Sequence, residues 1–184
     1  MKFWHLPGLF TLLFIASAGV ASAQTAASTP IPMPPKPDLS AMNFLLGTWS
    51  CTSKSSRRPS AGTGTVTYAM DPTGYWIVGT QSNDAVPWFP YKTTSQDEQT
   101  YDATTSRWVD LSTDSTGGYD FSVSPGWAGQ TMVWHDVTYS KGNDTASDND
   151  TTVTKVSDTK LTSASSFKTT GGKTVTVTGS CTKT

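Results

Sequence analysis

The chain has 184 residues, with 13 Lys+Arg against 14 Asp+Glu and a formal charge of −1. That balance excludes a strongly basic nucleic-acid binder, because displacing counterions from phosphates takes a Lys/Arg excess. Charged residues make up only 15% and aromatics 11%, with 7 Trp, so neither a coiled coil nor a charged disordered chain fits.

Threonine is the commonest residue, 32 in all, a surplus that favours strands over helices. The length suits one domain with one core. At the start, Lys2 supplies a positive n-region, an apolar stretch runs from about Leu9 to Val20, and Ala21-Ser22-Ala23 follows. Small-x-small after an apolar run is what a signal peptidase accepts, and the run is short of the ~20 residues that span a bilayer. Residues 1–23 therefore read as a signal peptide, with no membrane span, and the protein as secreted or periplasmic. Residues 24–38 carry Pro30, Pro32, Pro34, Pro35 and Pro37, which favour extended polyproline II and remove ladder donors. They read as a spacer, or as a Pro-rich recognition motif. The folded domain is expected over residues 39–184.

Along that domain, a short helix over about Leu39–Leu45 precedes a strand at Thr48–Ser53 and a polar turn with Arg57, Arg58 and Pro59. Thr63–Met70 follows, and Asp71-Pro72-Thr73-Gly74 is a tight-turn sequence, since Pro presets φ and Gly permits a positive one. Further strands are expected at Tyr75–Gln81, Gln96–Asp102, Arg107–Ser112, Tyr119–Val123, Thr131–Tyr139, Thr151–Ser157, Leu161–Lys168 and Thr174–Cys181. About ten short strands with hairpin-length connections predict a sandwich or barrel. No segment between them suits the crossover helix that parallel strands need.

Cys51 and Cys181 lie near the two ends of the domain. In an oxidising compartment a disulfide is the default, with free thiols the alternative. A bridge needs Cα atoms within about 7 Å, so the first and last strands would be neighbours, as in a sheet closed on itself. Side-chain alternation agrees: Val175, Val177, Gly179 and Cys181 share one face, and Trp49 and Cys51 share one. The expected fold is all-β: a closed antiparallel up-and-down barrel of about ten strands, with a short N-terminal helix and one disulfide joining first and last strands.

Phe44-Leu45-Leu46-Gly47-Thr48-Trp49 resembles the Gly-x-Trp opening of the calycin superfamily, which includes lipocalins, fatty-acid-binding proteins and nitrobindins. It is also similar to a bacterial lipocalin-like family of unknown function, and Tyr101 to Asp110 resembles that family's central hairpin. The resemblance implies that Gly47 lets the first strand bend and that Trp49 packs across the closed end. Lipocalins usually stack a last-strand Arg on that Trp; here the only basic residue after Lys173 is Lys183. Nitrobindins hold haem through a late His, and none follows His135, so no cofactor is expected.

His135 and Asp136 are neighbours on a strand and point to opposite faces, so without a bulge they form no compact dyad; no catalytic residue is assigned, and an enzyme using His135 is the third and last-ranked reading. A lone His is a weak metal signal. Asn143 to Asp150, with Asp144, Asp148 and Asp150, lacks the calcium-loop order and its closing Glu and reads as a solvated tip. No metal site is expected. Asn143-Asp144-Thr145 and Asn149-Asp150-Thr151 match the glycosylation acceptor pattern.

Asp84 to Tyr91 contains Trp88, Phe89 and Tyr91 in a Pro-stiffened connection, expected as a lid, a contact surface or a plug. Tyr68, Phe121, Met132, Trp134 and Phe167 are expected to face inward, lining a pocket or filling the barrel. With Trp88 they are the candidate ligand-binding residues. The leading expectation is a non-catalytic barrel binding a small apolar or amphipathic molecule. The alternative is a structural or interaction module of the cell envelope with a filled interior.

Overall fold

Alternation of Thr or Ser with small and apolar residues sets a two-residue period through most of the domain, and that period becomes eleven strands. They are β1 (Gly47–Ser55), β2 (Gly62–Met70), β3 (Ile77–Asn83), β4 (Thr93–Asp102), β5 (Arg107–Asp114) and β6 (Tyr119–Ser124), then β7 (Trp127–Ala128), β8 (Thr131–Ser140), β9 (Asp150–Ser157), β10 (Lys160–Lys168) and β11 (Thr174–Lys183). The structure is a computed structural model that describes residues 30–140, 149–169 and 171–184, without the side chains of residues 139 and 140. The chain divides into two units, Met1–Pro34 and Pro35–Thr184. The expected signal peptide and residues 24–29 of the spacer lie outside the described residues.

Each strand pairs antiparallel with its neighbours in the order β6-β5-β4-β3-β2-β1-β11-β10-β9-β8-β7, and β6 also pairs with β8. That last pairing closes a ten-stranded barrel and leaves β7 as an extra strand beside β8. Two residues carry no periodic signal, which is why β7 has no counterpart among the expected strands. The other ten match in order, with ends that differ by at most three residues; β3 starts at Ile77 rather than Tyr75, because the Tyr75 and Trp76 N–H groups go to Asp71 in the turn.

The seam is β1 against β11, with Cys51 directly opposite Cys181. Their sulfurs are bonded and the Cα atoms are 4.1 Å apart across 130 residues of chain. The backbone continues past the bridge: Thr184 N–H donates to Thr48 C=O at 2.9 Å, and Ser56 N–H to Thr176 C=O at 2.9 Å.

The β1 end is closed. Residues Ser40–Leu45 form a 3-10 helix whose Met42 and Leu45 join Trp49, Val66, Ile77, Trp108, Met132 and Trp134 in the core. Trp49 is wholly buried and donates from Nε1 to Leu45 C=O at 2.6 Å. Gly47 has φ +117, a conformation that only glycine adopts without strain. Lys183 is the register partner of Trp49. Its Nζ lies 5.5 Å from the centre of the indole and donates to Phe44 C=O at 2.9 Å. A lysine thus covers the tryptophan from the last strand.

At the same end Asp71 organises the β2–β3 turn. Its Oδ1 accepts from the backbone N–H groups of Tyr75 and Trp76, each at 2.9 Å, and Oδ2 from that of Thr73 at 3.0 Å. The Thr73 hydroxyl and these amides hold the carboxyl down at about 2.

Candidate functional site

At the other end the connections β1–β2, β3–β4 and β5–β6 surround a cavity of about 580 Å³, which Phe167 and Val177 also line. Within Asp84 to Tyr91 the chain doubles back through a bridge between Val86 and Phe89. Trp88 is half-buried; its Nε1 donates to Ser60 Oγ at 3.2 Å, and the Arg58 guanidinium lies 4.5 Å from the centre of its ring. Phe89 and Tyr91 meet edge to face with centroids 5.4 Å apart, and Tyr91 is 66% exposed. On the opposite side Arg57 lies 5.8 Å from the Phe167 ring centre. Aromatic faces and guanidinium groups thus ring the mouth, while Gln81, Asn83, Ser95 and Ser112 form polar walls.

Below these walls the interior becomes acidic. Inward-facing positions on β4, β5, β6 and β8 include Asp97, Asp110, Asp120 and Asp136. Asp97 accepts the Tyr68 hydroxyl, and burial pushes its carboxyl up to about 6. Burial likewise raises Asp110 well above the usual range, reinforced by the negative charges of Asp97 and Asp120. Asp120 rises to about 7, from burial and then Asp136. Asp136 is also raised by burial, against the pull of the Asn149 amide. Tyr68 is pushed up by burial and by Asp97 and Asp110.

Room for the Tyr68–Asp97 pair comes from Gly79, the register neighbour of both. A Cβ on Gly79 would stand 2.5 Å from Tyr68 Cε1 and overlap the Asp97 carboxyl.

Beyond this tier, toward the closed end, lies a smaller cavity of about 170 Å³ lined by Tyr68, Gln99, Met132, Trp134 and Leu161 among others. The six expected lining residues therefore separate. Trp88 and Phe167 line the mouth, whereas Tyr68, Met132 and Trp134 line the inner cavity. Phe121 lines neither. It pairs with Leu111, which is exposed, while its neighbours Ser122 and Ser124 are buried. The expectation of an inward Phe121 is thus corrected: on β6 the apolar residues face out and Asp120, Ser122 and Ser124 face in.

His135 is exposed on the outer face, its Nδ1 2.7 Å from Asp150 Oδ1, and Asp136 points the other way. Asp144, Asp148 and Asn143 lie outside the described residues. Asn149, read as a glycan acceptor, is buried and donates from Nδ2 to Asp136 Oδ2 at 2.6 Å, so the folded barrel does not present it. Among the described residues no three His, Cys, Asp or Glu side chains converge on a position that could hold a metal ion.

The acidic tier was absent from the expected site. Its signal is nonetheless present in the sequence: Asp110 shares alternation with Trp108, and Asp136 with Met132 and Trp134. Chemically, the arrangement offers an aromatic mouth large enough for a small molecule above a floor of carboxyls that accept protons or a positive group. No family model matches the chain, and no curated protein matches it.

Proposed function

We propose that this chain is an exported, lipocalin-like barrel that binds a small amphipathic molecule in the mouth cavity without catalysing its conversion. The observation that carries this reading is the 580 Å³ cavity beneath the Trp88 loop, above the roughly 300 Å³ at which small-molecule sites begin. Its aromatic rim supplies the apolar contact such sites use, and its wall is richer in Ser, Thr, Asn and Asp than is usual for them. The calycin resemblance is supported by the closed barrel and by the Gly47, Trp49 and Lys183 arrangement at the closed end. Export is supported by the Cys51–Cys181 bridge, since disulfides persist in oxidising compartments.

Titration with a fluorescent apolar probe, read by quenching of Trp emission, tests the reading. Saturable quenching that Trp88→Ala weakens is the expected result. No response across a range of probes would shift the function to the outer surface. That second reading has its own support, because Leu111 on β5 and Val137 on β8 are exposed and line neither cavity, and exposed apolar side chains mark contact sites.

A further inference from the structure

Two rungs of the barrel wall define the acidic tier. Asp97, Ser112 and Asp120 lie across β4, β5 and β6, and Gln99, Asp110, Ser122 and Asp136 lie across β4, β5, β6 and β8. Aspartate and serine alternate between the rungs, so the carboxylates are spread over the wall rather than gathered at a point. The charges that bear on Asp110 are those of Asp97, Asp120 and Asp136, all of its own sign.

A second observation is independent of charge. Gln99 is 8% exposed and faces Asp110 in register, hydrogen-bonded to it. Its Oε1 is buried with no donor, and so are Oδ1 of Asp110 and Oδ1 of Asp120. Buried acceptors are ordinarily satisfied, so the tier, once ionised, is short of donors as well as of positive charge.

A single metal ion does not answer this pattern, because among the described residues no three acidic side chains converge. An alcohol supplies one donor and no charge. A primary ammonium supplies three donors and a positive charge on one small head. Asp120 lines the mouth cavity, so such a head reaches the tier from the open end while the rest of the molecule stays among Trp88, Phe89 and Phe167.

We infer that the ligand is a protonated primary amine with an apolar or aromatic body, its ammonium seated on Asp120 and the carboxylates below. This inference rests on the mouth cavity being a ligand site, and the test separates the two.

Isothermal titration of the disulfide-bonded protein with 2-phenylethylamine, 2-phenylethanol and 3-phenylpropionate varies the head on one aromatic body. The amine is expected to bind at least tenfold tighter than the alcohol, and the acid more weakly than either. Asp120→Asn should cost the amine at least tenfold and leave the alcohol unchanged, with Asp110→Asn as a second variant; thermal melting checks that both fold.

Equal affinities overturn the inference and leave an apolar site, as does an apolar probe that binds where the amine does not. Calcium binding alone as tightly as the amine overturns it in favour of a metal. Failure of every compound, the probe included, overturns the reading of the cavity itself.

Discussion

Replacing Asp97 by Asn should stabilise the protein at neutral pH and leave it nearly unchanged in mild acid. In the folded barrel the carboxyl is raised from 3.8 to about 6, chiefly by burial. The folded state therefore keeps a proton that the unfolded chain releases, and stability falls as pH rises from about 4 to about 7. Each pKa unit corresponds to about 1.36 kcal/mol, so complete ionisation withdraws up to roughly 3 kcal/mol. Water reaches part of the side chain, which trims the effect to about 2 kcal/mol. Asparagine keeps an oxygen for the Tyr68 hydroxyl but cannot ionise. Urea unfolding of wild type and Asp97→Asn at pH 4.5 and pH 7.5 should show the difference in stability growing by about 2 kcal/mol in favour of the variant. Asp110 and Asp120 are present in both proteins, so the comparison reads Asp97 together with its repulsion of Asp110. A difference that is the same at both pH values, or that favours wild type at pH 7.5, refutes the picture of a buried carboxyl short of a counter-charge.

Gly79→Ala should destabilise by about 1–3 kcal/mol, because its Cβ meets both the Tyr68 ring and the Asp97 carboxyl; a thermal melt no lower than wild type would contradict that packing. Replacing Cys51 and Cys181 together by Ser should cost roughly 4–5 kcal/mol on the chain-entropy description of a 130-residue loop, read by chemical denaturation, whereas thiol titration of the native protein should find no free sulfhydryl. Trp88→Ala should cost less than about 1 kcal/mol in stability, since the residue sits at the rim, yet weaken retention of an apolar probe several-fold in a dissociation experiment.

The strands were legible because β2 and β11 alternate closely, Thr63, Thr65 and Thr67 against Gly64, Val66 and Tyr68, and Thr174, Thr176 and Thr178 against Val175, Val177 and Gly179. The Cys51–Cys181 pair could be placed at the seam because both cysteines fall on the apolar alternation of their strands. Phe121 was misplaced by the same logic. Apolar residues are assigned inward on the premise of an oily interior, and on β6 the interior is acidic, so the preference reverses.

Lys183 shows a different limit. Its position opposite Trp49 follows from register, but register depends on the closure of the whole sheet and not on any local pattern. The Trp88 loop was recognisable by composition alone, whereas the room beneath it depends on small side chains such as Gly62, Ser95 and Ser112 brought together from distant strands.

An even count of strands in the closed wall has an architectural corollary. Because ten strands run alternately up and down, the polypeptide enters and leaves the cylinder at the plugged rim, and every crossing of the opposite rim is a link between adjacent staves. Those links can change length or composition one at a time without disturbing the seam, so the scaffold is suited to acquiring new pocket entrances by exchange of short segments.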